Sequence, residues 1–565
     1  MTDDQPYGSL ALVLHSHLPY VLYHGTWPHG MSWIYEAAAE TYLPLLEVIY
    51  RLKDDGYSPH LTIGLTPVLV DQLSSSDFIS GFINYIEERL AASQDDRDEF
   101  VRIGMDHHTY LAEWWETHYS RIHEFFESTC NRDIVGSYRN LQDDGTIEII
   151  TCAATHGYLP LLGTDEAVRR QVRVGRKIYQ HHFGREPRGI WLPECAYRPR
   201  YVWKSPVGEE EPFERAGVEE TLAEENIEYF IVDSHLLTGG EARGVYIERF
   251  PALKMLWEQF KDQYKPIKDF KGTPYEFYLV DSRAKKPVAF FVRDPATGIL
   301  VWSGEHGYPG DGWYLDFHKK HWPSGNRYWR VTSSNADLAD KWDYEPEKIM
   351  DRVNENASHF KEKTKELLIA ASEKRKPAII CAPFDTELFG HWWFEGPLWI
   401  ERVLRWVEDD PEISLTTCGN FLEKNPPQAT FRLPEGSWGQ GGHHYIWLNE
   451  WTEWTWQRIY ECEREYPELA RKAKASGNQA AIEVATQAMR ELLLLESSDW
   501  QFLISTWSAR DYAEGRIALH FERFKKLSEF CNTILEGKQL PKEQEEILRM
   551  YQEEDSLFSE LNLEV

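Results

Sequence analysis

Several common signatures are missing from this 565-residue chain. Cysteine is scarce: seven residues, Cys130, Cys152, Cys195, Cys381, Cys418, Cys462 and Cys531, odd in number and without a CxxC pair. Scattered thiols argue against a disulfide framework and for a reducing, cytosolic setting. Basic charge is short as well. Lys and Arg number 61 against 92 Asp and Glu, for a net charge of −31. Such a surface repels phosphate backbones and anionic lipid, so no nucleic-acid partner is expected. No apolar run approaches the length of a membrane span. The opening MTDDQPYGSL has no basic stretch before an apolar one, and the expectation is a cytoplasmic protein with no membrane partner. No GxGxxG or P-loop stands between a strand and a helix. Internal repeats and low-complexity tracts are absent too.

Aromatic residues, in contrast, are plentiful: 23 Trp, 29 Tyr and 26 Phe. Large rings dominate burial energetics, so most belong in a core or between domains. The remainder suffices to line a long ligand groove. A chain of this length is expected to form two or three domains.

Short apolar runs recur at 9–14, 61–65, 147–152, 189–192, 229–232, 288–292 and 378–381. Helical patterns lie between several of them, at 32–52 and 165–181 for example. Strands alternating with helices predict a parallel sheet, and over this length a barrel rather than an open sheet. The residues just past each run carry the chemistry. In order, these are His15 and His17; Thr66; His156; Glu194; Asp233 and His235; Arg293; and Asp385. Residues at the C-terminal ends of successive parallel strands converge on one face of a barrel, where such enzymes hold their active sites. Two long connections, 197–228 and 236–276, read as lids or small insertions. Beyond about 430 the pattern becomes helical, with amphipathic stretches at 479–495 and 509–527. The expected organisation is a barrel domain over 1–430 and a helical domain over 431–565.

Glu194 stands in WLPECAY, and Asp385 in FDTELFGHWW with Glu387, His391, Trp392 and Trp393 close by. Two carboxylates at strand ends can divide the work of breaking a glycosidic bond, one at the anomeric carbon and one on the leaving oxygen. Alone, either acid reads equally well as a cap or a solvated loop residue. Trp438 in SWGQGG, followed by Trp447, places indoles on a glycine-rich backbone. Such rings stack on sugars or seal one domain onto another. A metal is the main rival, because His15, His17, His156, His235 and Asp385 form a set that can hold zinc. A carbohydrate-binding protein without turnover is a further class.

At these residues the sequence resembles glycoside hydrolase family 57. The segments that carry the resemblance are HSHLPY from His15, GLTPVL from Gly64, WLPECAY from Trp191, FDTELFGHWW from Phe384 and the stretch 438–449. Within the family it is most similar to the 1,4-α-glucan branching enzymes, through VRDPATGILVW from Val292, GYPGD from Gly307 and SSDW from Ser497. The resemblance implies an α/β fold: a distorted, TIM-like (β/α)7 barrel with an inserted small domain and a C-terminal helical domain. It also implies a retaining mechanism on α-1,4-glucans, glycogen-like polymers included, with no metal or organic cofactor. Carried over, Glu194 is the nucleophile and Asp385 the general acid/base. Arg293, Gly310, Trp438 and Asp499 would contact substrate, and His15, His156, Trp302 and Trp447 would line the groove. A loop tyrosine that excludes water would be Tyr246 or Tyr264. α-Amylase and 4-α-glucanotransferase activities are the neighbouring alternatives within the family.

Overall fold

A computed structural model describes residues 6–209, 211–238, 250–260, 272–303, 307–333, 335–372, 377–427 and 429–563. Tyr246 and Tyr264 lie outside these described residues. Twelve strands form among them: β1 (Gly8–Ser16), β2 (Leu61–Leu65), β3 (Ile147–Cys152), β4 (Gly189–Trp191), β5 (Tyr201–Trp203), β6 (Phe213–Arg215), β7 (Tyr229–Val232), β8 (Tyr278–Val280), β9 (Ala289–Val292), β10 (Ala378–Asp385), β11 (Ile413–Leu415) and β12 (Thr430–Phe431).

Seven of these run parallel in the order β10-β1-β2-β3-β4-β7-β9. Their starts coincide with the seven apolar runs. A parallel bridge between Arg293 and Cys381 joins the end of β9 back to β10, and the Asp294 N–H donates to the Cys381 carbonyl at 2.9 Å. That contact closes the seven strands into a ring. Strands covered on both faces must be apolar throughout, and Leu10 to Leu14 of β1 are at most 1% exposed. One edge of β1 is shared, β11 pairing with Gly8–Leu10 and β2 with Val13–Ser16.

Local chemistry sets the helices. Thr164 caps the helix Asp165–Phe183 by accepting from the Ala167 N–H, and Gly184 ends it in the left-handed conformation. The pattern at 32–52 is helical but interrupted: Met31–Ala37 and Leu43–Asp54 flank a π-turn, Ala38–Tyr42. Pro44 has no N–H to offer the Glu40 carbonyl, which loosens the turn there. The backbone of Gly390 packs directly against that carbonyl, where a Cβ would come within 1.8 Å. Two long helices between β2 and β3, Ser76–Ile103 and Asp106–Glu124, form a hairpin. Of the two long connections, 197–228 carries the antiparallel β5–β6 hairpin and the helix Val218–Glu224. The described part of 236–276 contains the helix Pro251–Phe260.

Beyond β12 the chain is helical, with Glu453–Ser476, Gln479–Leu495, Asp499–Thr506, Arg510–Leu535 and Lys542–Glu554. A buried polar seam fastens these helices to the barrel. His24, in the loop after β1, meets Asp555 at 2.7 Å, and Asp555 also pairs with Arg523. His520 contacts Glu491 at 2.8 Å, while Arg516 donates to the Tyr20 carbonyl at 2.6 Å. Among the described residues no helix is long and apolar enough to cross a membrane.

Candidate active site

The strand register brings the site together. His15 on β1 lies opposite Asp385 on β10 and opposite Gly64 on β2. Gly64 has to be small, because a Cβ there would meet the His15 ring at 3.2 Å. Asp385 ends β10 and begins the short turn Thr386–Leu388. Glu194 follows β4 in a turn of its own, Pro193–Cys195, with φ 61° at Glu194 and 48° at Cys195. Two successive left-handed non-glycine residues are strained, and such strain is held only where surroundings enforce it. Here Trp438 enforces it twice. Its main-chain N–H donates to the Glu194 carbonyl at 3.0 Å, and its indole N–H donates to the Glu194 carboxylate at 2.7 Å.

Burial pushes the Glu194 carboxyl up to about 8; the Trp438 N–H opposes this, and the negative charges of Asp385 and Asp499 add to it. Glu387 is likewise pushed up to about 8, first by burial, with Tyr42 opposing and Asp385 adding. Asp499 goes the other way. Burial alone would raise it, but His17, His156 and the Ser497 hydroxyl together outweigh burial and hold it at about 2.

Histidines pave the floor. His15 stacks on Trp191 with ring centres 4.7 Å apart, and His17 on His156 at 3.8 Å. His156 itself adopts φ 60° in the turn after β3. Both ring nitrogens of His17 are engaged, with Thr66 at 3.1 Å and Asp499 at 2.9 Å. Both of His156 are engaged as well, with Ser498 at 2.9 Å and His15 at 3.2 Å. Burial holds His15 and His156 well below the usual imidazole range; His156 and His17 add to this at His15, and at His156 His17 adds while Asp499 opposes. The predicted zinc set does not assemble as a whole, because His235 turns away to Asp233 at 3.0 Å. His17, His156 and Asp499 do converge, but as a hydrogen-bonded stack whose imidazole nitrogens already have protein partners.

A cavity of about 550 Å³ opens over this floor, lined by Glu194, Asp385, Glu387, His15, His17, Trp438 and Asp499 among others. That size is within the ordinary range of small-molecule pockets. The other predicted residues stand behind or beside it. His156 lies under His17, and the Trp302 ring stands edge-on to Trp438 at 6.1 Å. Trp447 is 1% exposed and stacks on Tyr158 at 4.5 Å. Arg293 is buried and faces Asp233 at 3.0 Å, and Gly310 ends the turn Tyr308–Gly310. These five residues, His156, Trp302, Trp447, Arg293 and Gly310, are outside the cavity lining. His29, Trp33, Phe317, His318 and Phe502 do line it. They sit on loops and helices, where no strand-end pattern announces them. Phe250, at the start of the helix Pro251–Phe260, meets Phe502 edge-on at 6.0 Å and closes one wall.

Residues 11–434 match the family model Glycosyl hydrolase family 57, and residues 458–565 match 1,4-alpha-glucan branching enzyme, C-terminal. The chain is 42% identical over 523 residues to the 1,4-alpha-glucan branching enzyme TK1436 of Thermococcus kodakarensis, covering 92% of this chain and 73% of that protein. The crystal structure of TK1436 in complex with glucose superposes with a TM-score of 0.88 at 40% identity, over 99% of this chain and 96% of that one. The alpha-amylase AmyC of Thermotoga maritima gives 0.79 at 29% identity, over 98% of each. The TIM-like barrel, its helical C-terminal region and these matches agree: the chain belongs to glycosyl hydrolase family 57.

Proposed function

We propose that the protein is a 1,4-α-glucan branching enzyme, which cuts an α-1,4-glucan and moves the released segment onto a 6-hydroxyl. The observation that carries the chemistry is a pair of carboxyls, Glu194 and Asp385, on separate strand ends but lining one cavity. The similarity to branching enzymes over both parts of the chain supports the choice of reaction.

The pair carries one proton over the working range, since each negative charge disfavours a second. Burial favours the proton on Glu194 in the free site. The reactive form in this scheme has Glu194 ionised and the proton on Asp385, an arrangement the Trp438 indole N–H favours by stabilising the Glu194 anion. Ionised Glu194 attacks the anomeric carbon as Asp385 protonates the departing glycosidic oxygen. The segment carrying the reducing end leaves, and the donor stays esterified to Glu194. Asp385, now ionised, takes the proton of an acceptor 6-hydroxyl, whose oxygen attacks the same carbon. An α-1,6 bond forms with net retention, and Glu194 returns as a carboxylate. Neutral His15 and His156 keep the floor polar without adding a cation.

Branching over hydrolysis requires that the acceptor reach the ester before water does. The wall formed by Phe250, Phe502 and Leu503 makes that side of the cavity apolar. The second reading is hydrolysis, favoured by the similarity to AmyC. Incubation with amylose separates the two. Reducing ends that appear only after a debranching enzyme is added establish transfer to 6-hydroxyls, whereas ends that rise without it establish an α-amylase. No change in either would overturn both. Loss of activity on chelation would instead favour a metal-dependent hydrolase. All seven cysteines are free and buried, as suits a reducing compartment, and we place the enzyme in the cytoplasm, acting in glycogen-like polymer synthesis.

A further inference from the structure

The cavity holds a third carboxyl that the two-carboxyl scheme leaves unused. Glu387 lies two residues beyond Asp385 in the turn Thr386–Leu388, and it is 7% exposed at the cavity wall. Its two oxygens have different surroundings. Oε1 accepts the Tyr42 hydroxyl at 2.5 Å and the His17 main-chain N–H at 3.0 Å. Oε2 has no hydrogen-bond partner among the described residues, yet it is not among the polar atoms sealed inside the protein. It therefore faces the cavity. The turn is held in place by Ser16, whose hydroxyl donates to Thr386 at 2.8 Å. Tyr42 is fixed in turn by its position in the π-turn Ala38–Tyr42.

The groups facing this carboxyl are Asp385 on its own turn, Tyr42 with Tyr138 behind it, and His17 at the end of β1. Burial pushes its carboxyl up to about 8, with the Tyr42 hydroxyl opposing and negative charge on Asp385 adding whenever Asp385 is ionised. With Oε1 occupied by two donors, the proton belongs on Oε2. We propose that Glu387 is a substrate-binding residue, whose Oε2–H donates a hydrogen bond to a hydroxyl of the sugar ring seated at the Glu194–Asp385 pair. The proposal rests on the α-glucan reading above and adds a polarity to it. An ionised carboxylate can only accept, whereas this one donates, two residues from the acid/base group.

Glutamine is the discriminating substitution, because its carbonyl can keep the bonds to Tyr42 and His17 while its NH2 replaces the Oε2–H donor. Glu387→Gln is expected to hold kcat/KM on amylose within about threefold of the wild type near neutral pH, and to remove the alkaline decline that ionisation of Glu387 imposes. Glu387→Ala is expected to lower kcat/KM roughly 5- to 100-fold, the range for a hydrogen bond left unmade. Tyr42→Phe serves as the structural control, since it removes a bond to Oε1 and leaves Oε2 alone. An infrared difference spectrum, wild type minus Glu387→Gln at neutral pH, should contain the carbonyl stretch of a protonated carboxyl. The proposal falls if Gln is as impaired as Ala, if Ala is as active as the wild type, if Tyr42→Phe reproduces the whole loss in Ala, or if the protonated-carboxyl band is missing. Wild-type protein without any glucan activity would overturn the functional reading instead, and the difference spectrum would still decide the proton on Glu387.

Discussion

The cavity at the strand ends and the seam beneath the C-terminal helices are built from the same materials, carboxyls and imidazoles largely withdrawn from bulk water. At the seam, charge meets charge. Asp555 lies between His24 and Arg523, and these partners outweigh burial to hold its carboxyl far below the usual range. Glu491, which burial and Asp555 push up, is hydrogen-bonded to His520 and Gln487. In the cavity, Glu194 and Glu387 are pushed up as well, but each keeps an oxygen without a protein partner among the described residues. A fold that satisfies its buried acids in one place and leaves them unsatisfied in another reserves the second place for a ligand.

The sharpest break of that contrast comes from removing one acid at each site. Asp385→Asn and Glu194→Gln are expected to lower kcat on amylose by roughly 10²–10⁴-fold or more, with the fold intact by circular dichroism. Asp555→Asn should do the reverse. It takes from Arg523 its buried counter-charge, leaving only the half-exposed Glu554, and removes the acceptor of His24, at a cost of about 3–5 kcal/mol in stability, read as a lower Tm. The surviving folded enzyme should keep its kcat within about twofold.

Removing the one donor that favours ionised Glu194 tests the cavity more gently. In Trp438→Phe the Glu194 carboxyl rises further, so the acidic limb of the pH profile of kcat/KM moves to higher pH. Activity on that limb should fall roughly 10- to 100-fold, as for a hydrogen bond to a charged group.

Acid titration sharpens the comparison from the stability side. Asp499 is held at about 2 against an ordinary 3.8. Its contribution is present above about pH 4 and lost as pH falls toward 2, and it amounts to about 2 kcal/mol. Asp499→Asn should therefore flatten the acid limb of a Tm-versus-pH curve.

Glu194 has an effect of the opposite sign. Glu194 binds its proton more tightly folded, at about 8, than its ordinary 4.5. Its contribution favours the folded state at low pH and is lost as pH rises from about 4.5 through 8. Glu194→Gln should leave Tm unchanged at pH 5 and raise it by about 1–4 °C at pH 9.

The seven barrel strands were legible because a buried parallel strand is an uninterrupted apolar run, and the residue after it has only one direction to face. Glu194, Asp385 and His15 could be picked out on that basis. What the residues could not announce is geometry made by distant partners. The left-handed turn at Glu194 and Cys195 depends on Trp438, 244 residues further along. Phe317 and His318 reach the cavity from an irregular segment with no periodicity. The family resemblance implies substrate contact for Arg293 and a groove position for Trp447, whereas here Arg293 faces Asp233 and Trp447 stacks on Tyr158, both outside the cavity lining. The bend at Ala38–Tyr42 was hidden within a continuous helical pattern, although Pro44 marks its cause.

Asp499 has a consequence for the order in which this protein is made. The residue that charges the cavity floor enters from the start of the helix Asp499–Thr506, and the seam that anchors that helical region closes on Asp555. A nascent chain on the ribosome can complete all seven barrel strands and still have no finished active site. The cavity floor is therefore shared between the two ends of the chain: His17 comes from the first strand and its Asp499 partner from the C-terminal helices.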